Sequence, residues 1–114
     1  MSRPIPRRLL PHVDAVTVEA VKGVSGAGRS FNPPVTVKRA LIIDGTALRG
    51  SQYEREAEVS GVFYCNRAEF EALPPPDSRV KLWQGTADER EAVVKRVERY
   101  MHPRHGDVLV VVLR

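Results

Sequence analysis

The residues from Lys22 to Pro34 read KGVSGAGRSFNPP, and Gly23 followed by Gly28-Arg29-Ser30 nearly spells G-x-x-x-x-G-K-[ST]. In a phosphate loop of that form, glycines let backbone N–H groups converge on phosphate oxygens, and the helix that follows adds its positive end. The lysine reaches the terminal phosphates and the hydroxyl holds magnesium. Here Arg29 stands in the lysine position, and Phe31-Asn32-Pro33-Pro34 follows. A helix opening at Arg29 would meet two prolines within about one turn, and Asn32 before Pro33 is pushed toward extended backbone. The stretch therefore reads as a mobile Gly/Ser loop joining two β segments, and no nucleotide cofactor is expected.

His102 and His105, separated by Pro103-Arg104, have zinc-ligand character, but a tetrahedral site needs more donors. Cys65 is the only thiol, lies far away in sequence, and ends an apolar run, where a cysteine acts as a small hydrophobe. Paired with a histidine it would make a nucleophile and base. Asp44, Glu54, Glu56 and Glu58 place acids near one loop; the last three, at period two, would line the exposed side of an approaching strand. Carboxylates do acid–base work only where burial separates their pKa values. No nucleophile elbow, dinucleotide fingerprint or kinase signature is present. The expectation is no catalytic residue, no metal and no cofactor.

A chain of 114 residues is expected to make one domain with a modest core. A single cysteine excludes an internal disulfide. No run of 18 or more apolar residues suggests a membrane span, and prolines 4, 6 and 11 break up the apolar stretch that a secretion signal would need. The formal net charge is +4 and uneven: residues 1–50 carry eight Lys/Arg against three acids, residues 51–114 ten against eleven. A basic front half suits nucleic acid or an acidic protein face.

Residues 1–11, with three prolines and Arg3, Arg7 and Arg8, read as an extended arm; Ile5, Leu9 and Leu10 could dock it on a partner, and a disordered terminus is the other reading. Residues 12–114 read as a single β domain. His12–Gly23 alternates, with β-branched residues dominant, as a strand should. Pro34–Asp44 is a second strand ending at Asp44-Gly45, a turn signal. Residues 46–56 read as a loop and Ala57–Cys65 as a third strand, with Gly61 marking a bulge or bend. Asn66 followed by Glu69 suggests a capped helical turn or two, stopped by Pro74–Pro76. Ser78–Gly85 reads as a short strand and His105–Arg114 as a buried one. Between them, periodicity in residues 87–101 slightly favours a helix over a strand. The sum is an all-β fold, a small β-barrel or sandwich of five to six strands with one short helix and long loops.

The aromatics Phe31, Tyr53, Phe63, Tyr64, Phe70, Trp83 and Tyr100 do not interleave with cations as single-strand binders require, and they read as core or subunit contacts. A small basic barrel that binds nucleic acid remains an alternative function.

The layout of the C-terminal half, NRAEFEALPPPDSRVKLWQG, then REAVVKRVERYMHP, then HGDVLVVVLR, resembles the head-closure (head-to-tail stopper) proteins of tailed bacteriophages. The N-terminal IPRRLLPHVDAVTVEAV with a Gly-rich loop behind it is similar to the same family. The resemblance implies a small β-barrel that assembles as a homo-oligomeric ring, sixfold or twelvefold, in the virion neck. There it would sit below portal and adaptor proteins, above a tail terminator or tail tube, and close the DNA-filled head. It also implies a structural role without enzymatic activity, membrane or cofactor, with virions assembled in the host cytoplasm. It makes the segment ending at Met101 a long strand. The 25–33 and 45–56 loops become candidate contacts, and Arg29 or Arg49 could meet packaged DNA phosphate without reading sequence.

Overall fold

Alternating β-branched segments need a sheet, and a sheet this small must curl to hide its apolar face. The computed structural model describes residues 5–26, 28–104 and 106–114. Its strands are β1 (His12–Glu19), β2 (Val21–Ser25), β3 (Gly28–Phe31), β4 (Val35–Asp44), β5 (Gly61–Asn66), β6 (Arg79–Leu82), β7 (Arg90–His102) and β8 (Gly106–Leu113). Six of them form a closed antiparallel barrel in the order β1-β4-β5-β8-β7-β6, and β6 returns to β1 through Val16↔Leu82 to Glu19↔Arg79. β2 and β3 make a separate two-stranded ribbon.

β8 is covered on both faces, as its unbroken apolar run demands. Leu109, Val111 and Leu113 point into the barrel with Val16, Val18, Val37, Phe63 and Leu82. Val110 and Val112 point outward, under a second apolar cluster with Val62 and Tyr53. Each such burial contributes about 1.5–3 kcal/mol, more than any exposed ion pair here can. The residues covering that outer face are 45–60, and they are no free loop: a 3-10 turn (Gly45–Leu48) and successive tight turns form a strap in which Tyr53 is buried.

Several expectations need correction. The strand expected over His12–Gly23 breaks at Ala20, whose carbonyl accepts Asn32 N–H at 2.8 Å. It also bulges at Asp14 (φ 50°), so Ala15 and Val16 are both buried while Val13 is exposed. The Gly/Ser stretch is the β2–β3 hairpin rather than a plain loop. Phe31 lies under the Arg79 guanidinium, 3.9 Å from its ring centre, and fastens the ribbon to β6. β5 starts at Gly61, not Ala57, because Glu56 and Ala57 are drawn across to Arg96 and Lys95 of β7. Glu54, Glu56 and Glu58 thus lie on turns, not on a strand. The expected helix after Asn66 is one 3-10 turn, Arg67–Glu69. Asn66 does not cap it; its Oδ1 accepts the N–H of Ile5 at 2.9 Å. Residues 90–102 are a strand, as the family resemblance implies and the periodicity did not.

Glu69 shows why the capping pattern misleads. Its two carboxylate oxygens accept the successive backbone N–H groups of Lys38 and Arg39, at 3.2 and 3.1 Å. Those donors sit opposite the β1 bulge, and the carboxylate supplies the acceptors that the disrupted ladder lacks.

Gly61 begins β5 where nothing larger fits. A Cβ there would lie 2.9 Å from Asp44 Cβ and 3.1 Å from an Arg90 Nη atom. Gly61→Ala is expected to cost about 1–3 kcal/mol, read as a lower urea midpoint with unchanged slope; an unchanged midpoint would mean the β4–β5 contact is not tight.

Candidate functional site

The residue types of an acid–base centre gather at one barrel end, where Asp44 closes β4 and Arg90 opens β7. Asp44 Oδ2 accepts from Trp83 Nε1 and from Arg90 Nε, both at 3.1 Å. Arg90 also donates to Ser60 O at 3.2 Å. His12 Nδ1 accepts the N–H of Ile42 at 3.1 Å, and its ring meets Trp83 edge-on at 4.7 Å. Trp83 takes a left-handed backbone (φ 57°), uncommon for a bulky residue. Each polar group already has a structural partner: the carboxylate neutralises the guanidinium, and the histidine completes a backbone hydrogen bond. The cluster seams β4, β6 and β7 together where their ladders end.

Cys65 is buried in the barrel, and burial first, then the Glu69 charge, raises its thiol pKa well above the usual value. The thiol stays protonated and packs as a hydrophobe. His102 ends β7, but His105 lies outside the described residues, so the pair has no geometry to report. Among the described residues no group of three or more His, Cys, Asp or Glu is placed to hold a metal. No helix among them is long and apolar enough to cross a membrane.

The expected partner-facing residues separate into docked and exposed. Arg3 lies outside the described residues. Ile5 docks through Asn66, and Leu10 is buried, with its carbonyl accepting Arg39 Nη1 at 3.4 Å. Arg7, Arg8 and Leu9 form a 3-10 turn and are exposed. The arm thus presents two cations and one leucine outward while its other apolar residues hold it to the barrel. Arg29, on β3, is half exposed and 3.6 Å from Asp77, which also pairs with Arg114 at 2.5 Å. Arg49 is exposed at the end of the Gly45–Leu48 turn, and its side chain makes no ion pair with a described residue. The structure does not bring Arg29 and Arg49 into one cluster.

The strap is the feature sequence reading missed. Tyr53 OH donates to Glu98 Oε1 at 2.5 Å, and Tyr100 OH donates to the same oxygen at 3.1 Å. Arg96 bridges Glu98 (3.3 Å) and Glu56 of the strap (2.7 Å), and Lys95 Nζ donates to Ala57 O at 2.8 Å. Burial opposes ionisation of Glu98, but the two tyrosine hydroxyls and Arg96 outweigh it and hold its pKa below the ordinary value. Burial, then Glu98, raises the Tyr53 pKa far above that of a free phenol. The only sequence signal was an aromatic inside a polar stretch.

Because the folded pKa of Glu98 is depressed, its contribution is complete above the unfolded value, about 4.3, and is lost as pH falls through the lower folded value. Hydrogen-exchange protection of residues 46–58 is therefore expected to fall below about pH 4. Glu98→Gln should reduce it already at neutral pH, while the protection of β8 stays. Equal protection in both proteins would show that the latch carries nothing.

Comparison with protein-family models, with curated proteins and with solved structures returns no match.

Proposed function

We propose that this chain is a structural subunit of a bacteriophage head–tail connector, a stopper that assembles as a ring, closes the DNA-filled head below the portal and adaptor, and docks the tail. One observation carries the reading: the barrel is small and closed, yet two hairpins project past its short sixth strand. β2–β3 forms its own ribbon between β1 and β4, and β7 runs beyond the β6 pairing, which ends at Val93, while β8 stays paired with β5 as far as Val108. A closed barrel has no free edges except where strands overrun it. Projecting ribbons with exposed Tyr100 and Met101 suit lateral contacts repeated around a ring. Asp44, Trp83, Arg90 and His12 at the barrel end are each engaged in holding the fold, which favours a building block over a catalyst.

Arg49 is the better candidate for packaged DNA, since Arg29 already has Asp77 as a partner. A phosphate contact there would hold DNA without reading its sequence. Heads assembled with Arg49→Ala are expected to retain less nuclease-resistant DNA than those with Arg29→Ala. Wild-type retention in both would remove DNA contact from the account. The alternative, a monomeric nucleic-acid binder, requires oligonucleotide affinity that falls steeply with salt.

A further inference from the structure

We propose that the acidic turn before β7 docks into a basic cleft beside the β1 bulge of a second copy of this chain. The pairing supplies contact faces for the ring of the connector reading and rests on that reading for the ring alone; the faces themselves are tested on the isolated protein.

The cleft has a volume of about 420 Å³ and is lined by Arg7 of the arm, Val13 and Asp14 of β1, and Lys38 and Arg39 of β4. Its walls are fixed in place. Asn66 holds the arm through the Ile5 N–H, and the Glu69 carboxylate is bound by the Lys38 and Arg39 N–H groups. Its cations are uncommitted. Arg7 and Lys38 are exposed and form no ion pair with a described residue, and the Arg39 guanidinium reaches the Leu10 carbonyl but no acid. Asp14 is exposed at the rim. Val13 is 54% exposed, an apolar contact left open beside these charges.

The turn comprises residues 83–89, between β6 and β7, and residues 84–89 are all exposed. It is nevertheless stiff. The N–H and the hydroxyl of Thr86 both donate to Trp83 O, at 3.0 and 2.6 Å, and Glu89 N–H donates to Thr86 O at 3.3 Å. A Glu89 carboxylate oxygen accepts Gly85 N–H at 3.1 Å, and Asp88 N–H donates to Thr86 Oγ1 at 3.2 Å. A loop ordered in advance loses little entropy when it docks. Asp88 and Glu91 are exposed, and neither forms an ion pair with a described residue, although Lys81 stands opposite Glu91 on β6. Arg90 between them is taken by Asp44.

The order of the closed barrel sets these two features back to back. β4 and β7 are three strands apart whichever way the six-strand circuit is followed, so they stand across the barrel from each other. In the cleft, Arg7, Lys38 and Arg39 stand against Asp14 and Glu69, a balance of +1; in residues 84–91, Asp88, Glu89 and Glu91 stand against Arg90, a balance of −2. A chain with a basic cleft on one side and an acidic turn on the other complements its own copies. The contact is head-to-tail, and it leaves each copy one cleft or one turn for the next. Exposed ion pairs contribute little, so charge sets the orientation of the contact, and Val13 against the Ala87 methyl adds apolar area.

The test cross-links two variants of the full chain, whose own Cys65 is buried. Val13→Cys puts a thiol in the cleft and Ala87→Cys puts one on the turn; both sites are exposed and neither change alters a charge. The two proteins are mixed and mildly oxidised, and intact mass separates mixed dimers from the two same-variant dimers. The expected result is an excess of mixed dimers of about tenfold over either same-variant dimer. Adding Asp88→Lys to the turn variant should lower that yield by about fivefold, and adding Asp14→Asn to the cleft variant should raise it. Mixed dimers at the level of random collision, whether the chains stay apart or meet by other faces, would overturn the proposal. So would a yield that ignores both charge changes. Either result leaves the connector reading to the binding of the protein to phage heads, which does not depend on which faces meet.

Discussion

The barrel closes through four residues. Arg79–Leu82 pair on one side with β1 and on the other with β7, and without them the sheet would be an open curl with two long edges. Val80 and Leu82 face inward and are fully buried, while Arg79 reaches outward to Glu19 and over Phe31. Ser78 below and Trp83 above mark the limits of this short strand. One is tied to β2 and β7, and the other is turned into left-handed backbone and held by Asp44. The projecting ribbons are a consequence of the same brevity.

The outer face of the barrel depends on a second device. Val110 and Val112 have to be on β8 because the strand is flanked on both sides, yet a barrel this small has no second sheet to cover them. Residues 45–60 supply the cover. Its attachment mixes a buried aromatic, Tyr53, with polar contacts at its margin. The apolar part provides most of the stabilisation, and the Glu98 cluster fixes where the strap lies. Core and cover are therefore separable, since the Tyr53 cluster lies outside the barrel interior.

Much of this was legible in residue order. β4 and β8 were readable because their alternation or saturation with β-branched residues leaves one solution each, and Asp44-Gly45 marked the end of β4. What failed failed for identifiable reasons. The Asp14 bulge shifts the inward face of β1 and has no local signature. β2–β3 contains three glycines, and its pairing rests on the distant Arg79. Glu69 matched a helix cap in spacing, but it serves a strand 30 residues away. The helical period in Val93, Val97, Tyr100 and Met101 arises from a strand that twists and bulges between Val94 and Arg96. The strap was missed because its stabilising contacts are long-range. Of the residues expected to face partners, Leu10 is consumed by the core and Arg29 by an ion pair, while Arg7, Arg8, Leu9 and Arg49 remain outward.

A barrel whose six strands are held by their own core, with a β2–β3 ribbon outside it, suits a part that is built into something larger. Electron microscopy of this protein mixed with tailless phage heads that lack their stopper tests that account most directly. The account predicts a closed ring of identical barrels beneath the portal, with the ribbons between neighbouring subunits. Heads left bare while the protein stays monomeric would contradict it.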